Sequence, residues 1–182
     1  ISEQSADVFV NTDVKNNGKQ AKSVIVETTL TDANGNLVKK ASERLSIASG
    51  ETKTATQRLV VKNPRLWSPD TPYLYRVESR IKEGKNSVDG GITRIGIRQC
   101  EFKGKDGFWL NGKPYGQLIG ANRHQDFAYV GNALPNSQQW RDAKRLRDAG
   151  CRIIRVAHYP QDPSFMDACD ELGLFVIVAT PG

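Results

Sequence analysis

The sequence predicts two fold classes in succession, an all-β sandwich over residues 1–98 and a partial parallel α/β segment over residues 99–182. Three observations carry that reading. Short β-branched runs separated by turn residues fill the first half without helical periodicity. The second half alternates apolar runs with stretches whose apolar residues recur every three to four positions. Both histidines of the chain lie in that second half, each just past an apolar run.

The strands of the first half follow one another at even spacing. Residues 7–14 alternate, with Val8, Val10 and Val14 on one side. Residues 23–31 are β-branched and lead to Asn34-Gly35-Asn36, a turn signal. Residues 37–47 and 52–61 flank Ser49-Gly50. Residues 72–81 place Tyr73, Tyr75, Val77 and Ile81 on one face, opposite Arg76, Glu78 and Arg80. Residues 86–98 complete the set. Six or seven short strands of this kind predict an antiparallel, immunoglobulin-like β-sandwich, without the Cys…Trp…Cys pattern of an antibody domain.

After residue 99 the rhythm changes. Residues 108–115 read as a hairpin turning at Asn111-Gly112, and 116–122 as a short apolar strand. Residues 136–150 read as a helix capped by Asn136 or Ser137, with Trp140, Ala143, Leu146 and Ala149 inward and Gly150 at its end. Residues 151–157 form a second buried strand. Residues 162–173 form a second helix with Phe165, Met166, Cys169 and Leu172 inward and Gly173 as its stop, and 174–180 a third strand. Strand, helix, strand, helix, strand implies parallel strands joined by right-handed crossovers, as in the opening of a TIM barrel. Active-site residues of such barrels sit at the C-terminal strand ends. Here those ends carry Asn122-Arg123-His124 and His158-Tyr159, and Pro160 and Pro163 force a loop to follow.

Composition narrows the functional classes. The net charge of +6 is spread among polar residues rather than gathered on one element, which argues against a nucleic-acid surface. No apolar run approaches the ~20 residues that span a bilayer. Cys100, Cys151 and Cys169 are odd in number and irregular in spacing, so neither a disulfide framework nor a zinc site is indicated. Trp67, Trp109 and Trp140 read as packing residues away from the strand tips. The first residues show neither a basic start with an apolar core nor an initiating Met, and read as a boundary or a processed end.

Three segments carry a family resemblance. Residues 63–79, NPRLWSPDTPYLYRVES, lead a Trp-Ser-Pro motif into a Tyr-rich strand. GIRQCEF is followed by GFWLNGKPYGQLIGANRHQD, and residues 152–177 read RIIRVAHYPQDPSFMDACDELGLFVI. In order and spacing these resemble glycoside hydrolase family 2, the group of β-galactosidases, β-glucuronidases and β-mannosidases. The resemblance implies that His124 lines the sugar subsite and that His158 contacts sugar hydroxyls. It places Arg155 near the nucleophilic carboxylate, and Asn122 and Asp126 at the mouth. It implies a retaining hydrolysis of terminal β-glycosides, β-galactosides first, with no cofactor and no metal in this stretch. The expected location is the periplasm or outside the cell.

Chemistry suits these roles. An imidazole both donates and accepts, matching paired hydroxyls. A guanidinium beside a carboxylate keeps it ionised and aimed. Structural alternatives stand beside each one: His158 capping the next helix, His124 bonding loop backbone, Arg155 in a structural ion pair, Asp126 as a cap or turn residue. A retaining mechanism needs two carboxyl groups about 5–5.5 Å apart. In the family these are glutamates of later strands, matched by nothing here, so the chain reads as a sandwich plus the opening of a catalytic barrel, inactive alone. Ala179-Thr180-Pro181-Gly182 stands where many relatives carry an acidic pair. Exposed edges of the unfinished barrel predict self-association. A non-catalytic, immunoglobulin-like carbohydrate-binding or linker module is the competing reading.

Overall fold

The computed structural model describes residues 1–179. Two compact units form, Ile1–Arg65 with Leu74–Ile97, and Leu66–Tyr73 with the chain from Arg98 onward.

The first unit holds β1 (Ser5–Lys15), β2 (Lys22–Thr31), β3 (Leu37–Ile47), β4 (Thr52–Lys62), β5 (Tyr75–Glu83) and β6 (Asn86–Ile95). Strands β1 and β4 pair antiparallel, and the other four form a sheet in the order β3-β2-β5-β6. Alternation decides what is buried. Val24, Val26, Thr28 and Leu30 point inward from β2, and Ala55, Gln57, Leu59 and Val61 from β4. A cluster of Val24, Val26, Leu45, Ile47, Ala55 and Ile81 unites both sheets into a sandwich. Gln57 Nε2 donates across it to the Val26 carbonyl at 2.9 Å. The predicted turn after β2 is held by Asp32, whose Oδ1 accepts from the backbone N–H groups of Asn34 and Asn36.

The second unit opens with a small antiparallel sheet, β7 (Cys100–Phe102), β8 (Phe108–Leu110) and β9 (Lys113–Pro114). Asn111 and Gly112 turn β8 into β9 with φ of 52° and 77°, the left-handed pair that a two-residue hairpin needs. Next come β10 (Gly120–Arg123), α1 (Asn136–Asp148), β11 (Ile153–Val156), α2 (Pro163–Leu172) and β12 (Phe175–Val178). Strands β10, β11 and β12 are parallel neighbours in that order. Ile154, Val156, Phe165, Ala168, Cys169, Leu174 and Ala143 form their core with the helices. Phe175, at the start of β12, meets the rings of Trp67, Phe108 and Tyr115 edge-on at 5.2, 5.3 and 5.8 Å.

Several expectations need correction. Tyr73 is not on the strand with Tyr75, because Pro69 and Pro72 frame a turn over Ser68–Thr71, and residues 66–73 pack with the second unit. There Trp67 is buried, and its Nε1 donates to the Asp170 carbonyl at 2.9 Å. Helix α1 takes neither Asn136 nor Ser137 as its cap. Extended Pro135 occupies that position without a side-chain bond. The inward face of α1 is Gln138, Gln139 and Ala143, whereas Trp140 is 40% exposed and Ala149 lies outside. Ala143 and Leu146 do pack on the core as expected, but Gln138 and Gln139 share that face and enter a polar cluster described below. Trp140, one residue step (~100°) beyond Gln139, faces away from it. Thr180, the expected end of the last strand, and the Thr180-Pro181-Gly182 departure lie outside the described residues.

Candidate functional site

The site follows from parallel pairing. Asn122 of β10 lies in register with Arg155 of β11, and Arg123 with Val156. The chain therefore leaves both strands at one level, and His124 and His158 emerge side by side. Their rings stand edge to face with centroids 5.3 Å apart, and both are exposed. The peptide bond before His158 is cis.

Arg155, half-buried on β11, brings Nη2 within 3.3 Å of His158 Nδ1. A guanidinium can only donate, so Nδ1 accepts and the ring proton sits on Nε2, free to be offered outward. Asn122 is exposed at the end of the neighbouring strand β10. Asp126 is exposed in the following loop, and among the described residues no hydrogen bond ties it to the two imidazoles. The structure thus brings His124, His158 and Arg155 together, sets Asn122 beside Arg155 in register, and leaves Asp126 apart.

The helix cap is Asp162 rather than His158. Its Oδ1 accepts from Ser164 N–H at 2.8 Å and from the Ser164 hydroxyl, and these bonds hold its carboxyl below the usual carboxylate range. Among the described residues Arg155 has no carboxylate partner.

A second layer, which sequence reasoning missed, lies beneath the histidines. Arg123 is buried, with its guanidinium 4.1 Å over the Phe165 ring. Its Nη2 donates to Gln139 Oε1 at 2.7 Å and Asp142 Oδ2 at 2.9 Å, and its Nη1 to Gln161 Oε1 at 2.6 Å. Gln125 Oε1 accepts from Asp162 N–H at 2.8 Å, and its Nε2 donates to the Asn132 carbonyl at 3.1 Å. The Tyr159 hydroxyl reaches the Gln125 carbonyl at 3.3 Å. The one signal in the sequence was an arginine ending an apolar strand. The glutamines carry none.

Known proteins are similar to this chain in sequence and in fold. The family model of glycosyl hydrolases family 2 matches residues 1–98, and that of the family's TIM barrel domain matches residues 101–182. The chain belongs to glycosyl hydrolases family 2. Family members similar to it include a β-galactosidase of Thermoanaerobacter pseudethanolicus, 42% identical over 131 residues, covering 71% of this chain and 18% of that protein. A putative β-glucuronidase of Formosa agariphila is 36% identical over 177 residues, covering 97% of this chain and 20% of that protein. Among solved structures, a putative β-galactosidase from Bacteroides fragilis superposes with a TM-score of 0.94 at 32% identity, covering all of this chain and 27% of that one. A Bacteroides uniformis β-glucuronidase gives 0.91 at 34% identity, covering 97% and 21%. This family 2 chain thus spans about a fifth of the length of these two sequence relatives.

Proposed function

We propose that this chain supplies one wall of the sugar subsite of a retaining family 2 β-glycosidase, with a terminal β-galactoside as substrate. The observation that supports it is the pair of exposed imidazoles 5.3 Å apart at the C-terminal ends of adjacent parallel strands. His158, with its proton on Nε2, offers a donor to one hydroxyl, and His124 faces the neighbouring position. Arg155 and Asn122 complete the wall, and Arg155 is placed to orient an incoming carboxylate. The described residues present no pair of carboxyl groups at these strand ends, so the 182 residues alone bind sugar and do not hydrolyse it.

Ring-nitrogen and ring-proton NMR tests this directly. Methyl β-D-galactopyranoside shifts the signals of both histidines, more strongly than methyl β-D-glucuronide does, and a chromogenic β-galactoside is not turned over. A spectrum in which neither sugar moves either imidazole defeats the proposal and leaves the non-catalytic module. Self-association belongs to the same proposal. The outer strand β12 exposes Ile177 and Val178, and Ile119 is exposed beside β10, so apolar surface flanks both edges of the parallel sheet.

A further inference from the structure

The geometry points to Arg123 and Gln161 as positioning residues that set the spacing of the two imidazoles. The inference rests on the reading of His124 and His158 as a sugar-binding pair.

Arg123 immediately precedes His124, and Gln161 lies three residues past His158. Gln161 grips Arg123 from both sides. Its Nε2 donates to the Arg123 carbonyl at 2.7 Å, and its Oε1 accepts from Arg123 Nη1 at 2.6 Å. That carbonyl also accepts the N–H of Ala157, the residue before His158, at 3.0 Å. It belongs to the peptide linking Arg123 to His124. Two donors from the His158 loop therefore orient the peptide plane from which His124 departs. The guanidinium cannot slide to relieve the constraint, because Gln139 and Asp142 of α1 hold Nη2 and Phe165 packs against its face. The imidazoles keep their separation because one amide side chain spans the two strand tips.

The chain has two histidines, so its imidazole spectrum holds two sets of ring signals. The test reads the ring-to-ring nuclear Overhauser effect between His124 and His158, alongside the shift caused by methyl β-D-galactopyranoside. Gln161→Ala is expected to stay folded by circular dichroism, lose the ring-to-ring effect and lose the sugar-induced shift. Gln139→Met removes a buried partner of Arg123 on the α1 side without touching the His158 loop. It is expected to lower the melting temperature while the ring-to-ring effect persists. Should Gln161→Ala unfold, Gln161→Glu decides. It matches the native side chain in size and keeps the acceptor for Arg123 Nη1 but loses the donor, and the effect is expected to weaken.

A ring-to-ring effect unchanged in a folded Gln161 variant overturns the inference. So does its equal loss in Gln139→Met, which would make the role one of general stability. If the wild-type imidazoles ignore the sugar while Gln161→Ala still separates them, the sugar reading fails and the positioning role stands.

Discussion

At the scale of single residues, exposure separates side chains that the fold requires from those it can spare. His124 and His158 are exposed, so replacing either by Ala is expected to move stability by no more than about 0.5 kcal/mol while abolishing the sugar-induced shift. Arg123 is the opposite case. Its guanidinium is 6% exposed and donates to three acceptors, so Arg123→Ala strands Gln139 and Asp142 and is expected to cost about 3 kcal/mol in denaturant unfolding. That figure takes the low end because Asp142 keeps some contact with water. The cysteines divide in the same way. Burial, and then the charge of Asp170, pushes the Cys169 thiol up to about 12, whereas Cys100 is exposed. A maleimide reagent is expected to label Cys100 in the native chain and Cys169 only after unfolding. The Cys169 thiol contributes stability that is fully present below the ordinary thiol range near ~8.5 and is lost as pH rises towards its raised folded value.

At the scale of elements, α2 shows how local chemistry sets boundaries. Asp162 caps its start with Pro163 in the first turn, and Gly173 ends it at φ 75°. Gly173 has a second constraint. A Cβ there would meet the Pro69 carbonyl oxygen at 2.2 Å, so the helix stop also lies tight against the backbone of Pro69. Gly173→Ala is expected to cost at least about 1–2 kcal/mol from the left-handed backbone alone, measured by thermal unfolding, before the clash is counted. Because the Asp162 carboxyl is held low, its contribution is present above the usual carboxylate range and lost as pH falls through its lowered folded value. Asp162→Asn is expected to keep the cap while removing that part of the acid sensitivity. Both boundaries of α2 were legible because caps and stops are short-range codes. The face of α1 was legible only at Ala143 and Leu146, since an inward-facing glutamine looks the same in sequence as a solvated one until its partner is placed.

At the scale of the whole molecule, each unit has a core of its own, and the parallel sheet ends in strands with one neighbour each. Ile177 is 51% exposed on the outer strand β12. Sedimentation is expected to show association that grows with concentration and weakens in Ile177→Lys. A monodisperse monomer with strong exchange protection across 174–178 would count against that. The sandwich was legible because period-two alternation over β2 and β4 reports which face is buried. Residues 66–73 were not. Their prolines and aromatic residues fit the approach to a strand, and only long-range contacts, among them the bond from Trp67 to Asp170, 103 positions away, and the ring contact of Trp67 with Phe175, assign them to the second unit.

Sequence by itself determined the two fold classes, the order of strands and helices, and the two histidines at strand ends, because periodicity and turn chemistry act over a few residues. Tertiary structure alone decided that the histidines meet at 5.3 Å, that Arg123 and Gln161 tie their loops, and that Trp140 faces outward. Those outcomes depend on pairings between residues far apart along the chain, whose geometry exists only once the parallel strands are in register.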